Sequence, residues 1–404
     1  MLNTEFSPWP SYTEEEADAI KRVLLSNQVN YWTGKETREF EKEFAHWVGT
    51  EYAVAMSNGT VALEAALMAL GIDEGEVITT SRTFVASASS IVKVGLVPVF
   101  ADVNADSQNI TAETIRPVIT SKTKAIICVH LAGWPCDMDG IMELAREYNL
   151  YVIEDCAQAH GAYYKGNSVG SLGHLAAWSF CQDKIITTGG EGGMVTTNST
   201  KFWNWIWSYK DHGKSWSAIC EKKNHLGFKW VHDHFGSNCR MTEIQAVLGR
   251  IQLGRIKIWN EKRLNNANQI WRTAAQIKSL RVPRIPQDII HAAYKCYIFV
   301  KESELAPGWN TVEIIKKINE YGVPCTSGSC SEIYLEKAFD NTDFRPPERL
   351  PIARDLGEKS LMFLVHPTLT EAEIEKTCSV LRKVMNIATD ANHLLNRGKQ
   401  LCAV

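Results

Sequence analysis

Between Glu51 and Cys156 short apolar runs alternate with stretches of helical spacing, and no other feature restricts the fold as much. The runs are EYAVAMS, GEVITTS, VPVFADV, KAIICVHLAG and LYVIEDC, and LAAWSFC adds another further on. Each is nearly continuous in apolar character, as strands are when helices cover both faces of a parallel sheet. The intervening NGTVALEAALMALG, FVASASSIVKVG, TAETIRPVI and DMDGIMELAREYN read as helices, with Thr111 as the cap of the third. This alternation predicts an open, doubly wound, mostly parallel α/β sheet.

The flanking segments read differently. SYTEEEADAI predicts a helix start, with Thr13 as N-cap and Glu16 as its capping-box partner. NQVNYWTGKETREFEKEFAHWVG predicts a turn at Thr33-Gly34 and an amphipathic helix ending at Gly49. From Met241 apolar residues recur at helical spacing long enough for one long helix, with a break expected near Gly254. The alternating segment HAAYKCYIFV, the helix NTVEIIKKINEYG, the strand-like SLMFLVHP and the helix EAEIEKTCSVLRKVM then predict a smaller α+β unit. The expected division is a large α/β domain with an N-terminal helical segment over 1–250. The long linking helix and a small C-terminal α+β domain follow over 251–404.

Bulk properties narrow the function classes. A net charge of −3 over 404 residues argues against a general nucleic-acid or anionic-membrane binder. No apolar run reaches the roughly 18 residues that a membrane span needs, and no charged-then-apolar leader precedes the first helix. Eleven cysteines occur, none in a CxxC pair. The expectation is therefore a reducing, cytoplasmic setting without a disulfide framework or a metal site.

Ligands of open α/β sheets bind beyond the carboxyl ends of the strands, and three segments lie at such ends. SNGT, Ser57 to Thr60, joins a strand to a helix whose first N–H groups face an anion; a turn with a helix cap also explains it. Asp155 follows the strand LYVI; it is either a loop or cap residue or the partner of a protonated heteroaromatic nitrogen. Lys184 follows LAAWSFC and precedes TTGGEGG. Alone it would be a solvated surface charge. In the same layer as the other two, partial burial would give a free amine able to form a Schiff base. A phosphate site, a pyridinium-pairing carboxylate and an imine-forming lysine are what pyridoxal phosphate requires. TTGGEGG lacks P-loop spacing, so its glycines are expected to let the chain turn beneath a cofactor.

These segments resemble the DegT/DnrJ/EryC1/StrS aminotransferases, sugar aminotransferases of fold type I. The resemblance runs through YWTGKETREFEKEFA, SNGTVALEAAL, RTFVASASSI, VIEDCAQAHGA, VGSLGHLAAWSFCQDKIITTGGEGGMV, FGSNCRMTEIQAVLGRIQL and LMFLVHPTLTEAEI. It implies that Lys184 joins pyridoxal phosphate and moves the substrate proton, and that Asp155 pairs with the ring nitrogen. Gln158 would sit near the phenolic oxygen, Phe84 would stack on the ring, and Gly59, Thr60 and Ser179 would hold the phosphate. Asn238 resembles the asparagine that the family contributes to the partner subunit's phosphate site, which implies a homodimer with shared active sites. Cys239 stands where an aromatic commonly precedes the arginine. Lysine rather than histidine at 184 favours amine transfer over removal of a sugar hydroxyl.

The implied reaction is ping-pong, with L-glutamate as amino donor and a nucleoside-diphosphate keto-sugar as acceptor. VPCTSGSCSEIYLEKAF, Val323 to Phe339, resembles members that aminate C4 of a 6-deoxyhexose, among them dTDP-4-amino-4,6-dideoxyglucose transaminases of O-antigen synthesis. Ser327, Ser329 and Glu332 would then face the sugar nucleotide, while His212 and Lys214 in DHGKSW are diphosphate candidates. Transamination at C3 or of a cyclitol ketone is the alternative within the enzymes. A cofactor-binding regulator without catalysis is the alternative outside them.

Overall fold

The computed structural model describes residues 5–220 and 230–390; the rest of the expected C-terminal unit, 391–404, lies outside them. Helix α1, Glu14–Leu25, starts on the expected capping box, and α2, Glu36–Val48, ends on Gly49 in the left-handed region. Strands β1 (Tyr52–Met56), β2 (Glu76–Thr80), β3 (Val97–Ala101), β4 (Thr123–Val129) and β5 (Tyr151–Asp155) follow. With β6 (Leu175–Ser179) and β7 (Gly193–Thr197) they form one sheet in the order β1-β7-β6-β5-β4-β2-β3.

Pairing is parallel from β6 through β5, β4 and β2 to β3, whereas β7 runs antiparallel to both β1 and β6. The reason is the connection. Parallel return needs a crossover of a dozen or more residues, usually helical. The β6–β7 segment is irregular and folds back within its glycines, so β7 returns as a hairpin partner. That return makes the Lys184 segment a loop at the carboxyl end of the sheet. Helices α3 (Gly59–Ala69) and α4 (Ala86–Lys93) follow β1 and β2 and begin at that same end.

The long helix Glu243–Ala275 is unbroken, and the expected boundary after residue 250 falls inside it. Glycine in a helix interior costs about 1 kcal/mol against alanine. Elsewhere along its length the helix is held by tertiary packing, since α1, α2 and the C-terminal helix Glu371–Thr389 all lie against it. A second, antiparallel sheet orders Leu280–Arg281, Cys296–Val300, Ser360–Phe363 and Cys325–Thr326. Ile298, Leu361 and Phe363 pack there with Ile314, Leu381 and Val384 from the covering helices. A large, mostly parallel α/β sheet and a smaller α+β unit are thus both present, as the sequence predicts. Among the described residues no helix is long and apolar enough to cross a membrane.

Candidate active site

The two carboxylates that end β5 diverge, as strand alternation requires. Glu154 is wholly buried; it accepts the N–H groups of Gly170, Leu172 and Gly173 at 2.8, 2.8 and 2.6 Å and meets His130 Nε2 at 3.0 Å. The Cys136 N–H donates to His130 Nδ1, so the ring N–H is on Nε2 and donates a hydrogen bond to Glu154. Histidine, carboxylate and the Cys156 thiol stand within 4.8 Å of one another here, but those hydrogen bonds occupy the carboxylate and imidazole. They lock β5 to its neighbours.

Asp155 points the other way, into a cavity. The Ser87 hydroxyl donates to its Oδ2 at 2.8 Å and the Ala157 N–H to its Oδ1 at 3.1 Å. Burial pushes its carboxyl above the usual range, against the pull of Ser87, Ala157 and the Lys184 charge. A buried carboxylate bonded by neutral donors is suited to a cationic ligand atom. A protonated pyridine nitrogen is such an atom.

Across the cavity, Asn58 caps α3 by accepting the Val61 N–H at 2.9 Å. Gly59 then comes so close to β6 that an added Cβ would lie 2.6 Å from Ser179 Cβ. The first turn of α3 and the Ser179 hydroxyl therefore line one wall together, a cradle suited to a phosphate.

Lys184 reaches the same space from the β6–β7 loop. Trp9 Nε1 donates to its carbonyl at 2.9 Å, fixing the backbone. Its Nζ lies 3.5 Å from the Tyr294 hydroxyl and 3.4 Å from Asp183 Oδ1, and the Tyr294 hydroxyl donates to Asp183 Oδ2. Burial opposes the Asp183 charge, but Lys184, Tyr294 and Lys295 outweigh it and hold that carboxyl below its usual range. Behind Lys184, Gly189 and Gly190 have φ of 81° and 120°, so they turn the chain. Gly193 serves packing instead, since a Cβ there would lie 2.3 Å from the Asn58 carbonyl oxygen.

The cavity has a volume of about 860 Å³. Gly59, Thr60, Phe84, Asp155, Gln158, Ser179, Lys184 and Ser329 all line it. Gln158 accepts the Ala132 N–H on Oε1 at 2.9 Å, which leaves its amide NH₂ as the donor end. Phe84 is 67% exposed at the edge. Asn238, His212, Lys214, Ser327 and Glu332 do not line this cavity. Asn238, His212 and Ser327 are exposed. Lys214 pairs with Asp211 at 3.1 Å, and the buried Glu332 pairs with Arg349 and accepts the Tyr334 hydroxyl. Ser87, Asp183, Tyr294 and Lys295 are site residues absent from the sequence reading. Only Asp183 carried a signal, as the neighbour of Lys184.

Residues 10–382 match the model of the DegT/DnrJ/EryC1/StrS aminotransferase family. The GDP-perosamine synthase of Vibrio cholerae is 40% identical over 92% of this chain and 98% of its own length. The dTDP-3-amino-3,6-dideoxy-alpha-D-galactopyranose transaminase of Aneurinibacillus thermoaerophilus is 32% identical over 92% and 96%. The X-ray structure of an aminotransferase from Psychrobacter cryohalolentis superposes with a TM-score of 0.94 at 60% identity, covering 95% of this chain and all of that one.

Proposed function

This chain belongs to the DegT/DnrJ/EryC1/StrS aminotransferase family, and from that premise we propose that it moves an amino group from L-glutamate to a nucleotide-linked 4-keto-6-deoxy sugar. It is a nucleotide-sugar aminotransferase whose cofactor is pyridoxal phosphate. The observation that carries the proposal is the convergence of Lys184, Asp155 and the first turn of α3 on one cavity large enough for cofactor and sugar.

The residues present fit the cofactor. When bound, pyridoxal phosphate supplies an aldehyde that exchanges amines and a protonated ring that draws electron density from the reacting carbon. Asp155 would hold the ring nitrogen protonated, and Gly59, Thr60 and Ser179 would hold the phosphate. Lys184 would move the proton at the amine-bearing carbon, first as base and then as acid. Tyr294 and Asp183 keep its Nζ on the cavity side rather than in bulk water. Replacing Gly59 with alanine should weaken cofactor binding about tenfold, because the added methyl pushes α3 off Ser179 and overpacking of this kind costs about 1–3 kcal/mol. Equilibrium dialysis of pyridoxal phosphate against the variant and the parent chain measures this. Unchanged affinity would remove Gly59 from the cradle.

The acceptor is proposed as dTDP-4-keto-6-deoxyglucose, on the resemblance of the Val323–Phe339 segment, for cell-surface polysaccharide synthesis. The GDP-linked counterpart is a second reading, favoured by likeness to a GDP-perosamine synthase. The proposed assembly is a homodimer in which Asn238 reaches the partner's site. Its exposure beside the exposed Phe235, away from its own chain's cavity, supports this.

The test is the absorbance spectrum of the pyridoxal phosphate-loaded protein, before and after L-glutamate, then after dTDP- and GDP-linked 4-keto-6-deoxy sugars. Glutamate should bleach the cofactor's visible band and one keto-sugar should restore it. No response to any amino donor would sink the proposal and favour a binding protein without catalysis.

A further inference from the structure

We propose that Arg82 is a positioning residue that ties the turn carrying Phe84 to the roof of the cavity and so sets the space open to the sugar. The inference rests on the reading that this cavity takes a nucleotide-linked keto-sugar. Arg82 lies on the turn between β2 and α4, two residues before Phe84, and is wholly buried. Its guanidinium donates to three neutral oxygens: Nε to Gln108 Oε1 at 2.9 Å, one amino group to Ser331 Oγ at 2.7 Å and the other to Ser360 Oγ at 2.8 Å. Burying a guanidinium among neutral acceptors is costly, so its contribution lies in what it joins rather than in packing.

What it joins is the roof. Gly328, Ser329, Cys330, Ile333 and Glu336 line the cavity from above. Ser331, in their midst, accepts the hydrogen bond from Arg82 and donates its own hydroxyl to the Ala353 carbonyl. The Ser329 N–H donates to the Tyr297 hydroxyl at 2.7 Å, and Arg82 lies 5.2 Å from the centroid of that ring. The Ile333 N–H donates to the Ser81 carbonyl at 3.0 Å. The turn that carries Phe84 is thereby fixed to the strand ends and to the roof by one planar, three-way donor. A lysine, with a single compact ammonium, cannot span acceptors fanned around a guanidinium. Neither Lys184 nor Ser179 bonds to this network.

The experiment compares the cofactor-loaded enzyme with Arg82→Met, Arg82→Lys and Tyr297→Phe. The two half-reactions are followed separately by cofactor absorbance, and melting temperatures are measured alongside. KM for the keto-sugar should rise about tenfold or more in both Arg82 variants and severalfold in Tyr297→Phe, because small displacements of a positioned substrate are expensive. The glutamate half-reaction should fall far less than the sugar half-reaction, since glutamate does not fill the sugar's end, even though the same turn carries Phe84 and leads to Ser87, which bonds Asp155. Sugar KM unchanged in Arg82→Lys and Tyr297→Phe would overturn the inference. An equal fall in both half-reactions that tracks a lower melting temperature would overturn it too, as the mark of a purely structural residue. If Arg82→Met does not fold, Tyr297→Phe decides. A parent enzyme that answers glutamate but no nucleotide keto-sugar fails the substrate reading first, and the inference falls with it.

Discussion

Lys184→Ala is expected to abolish amino transfer, by at least about 10⁴-fold, because it removes both the amine proposed to join the cofactor and the group proposed to move the proton. Neither ionisable group in contact with it is suited to take over. Burial next to Asp183 pushes the Tyr294 hydroxyl well above its usual range, and Asp183, held below the usual carboxylate range and accepting the Tyr294 hydroxyl, is a weak base. The fold should survive. Asp183 keeps the Tyr294 hydroxyl and the nearby Lys295 charge, and the loop backbone keeps its bond from Trp9. Intact mass after borohydride treatment gives a readout independent of turnover: the parent chain should retain the mass of the cofactor and the variant should not. Transamination retained by Lys184→Ala would end the assignment.

Asp155→Asn should cost about 10³-fold in amino transfer, the scale lost when one preorganised electrostatic partner of a developing charge is removed. It is also a case in which stability and function should separate. Asparagine can keep both hydrogen bonds, accepting the Ala157 N–H and donating to Ser87. Burial raises the Asp155 pKa in the folded chain, so between the unfolded value of about 3.9 and that raised value the native state binds more protons. Stability from this group is therefore full below the unfolded pKa and is lost as pH rises through the folded one. Without cofactor, Asp155→Asn should melt at the same temperature as the parent or higher at pH 7, and the difference should close toward pH 4. A variant that melts well below the parent at pH 7 would mean that Asp155 serves the fold.

Six of the seven strands of the large sheet could be read from the chain because their signals are local; β7, Gly193–Thr197, was not among the expected strands. Apolar runs, the Thr13–Glu16 and Thr111 caps, and Asn58 ahead of Gly59 act within a turn or a strand of themselves. Where burial was set by distant elements, local pattern misled. HAAYKCYIFV reads as an alternating strand, yet all five residues of Cys296–Val300 are buried, because this strand lies between two others with helices packed against the sheet. Gly254 reads as a break, yet the helix runs through it unbroken, and the Cβ that glycine lacks would meet nothing there.

The site divides along the same line. Lys184, Asp155 and the Gly59 turn each stand at the end of a strand, and strand ends share one edge of a parallel sheet, so their convergence was determined by the sequence itself. Tyr294 comes to Lys184 from 110 residues away, and Arg82 meets Ser331 and Ser360 from 249 and 278 away. No spacing encodes such contacts. They exist because the long helix and the second sheet bring the C-terminal half of the chain over the mouth of the first. The residues proposed to carry the cofactor chemistry were written locally; the shape of the space in front of them was decided only by tertiary packing, where contact depends on how whole elements are stacked.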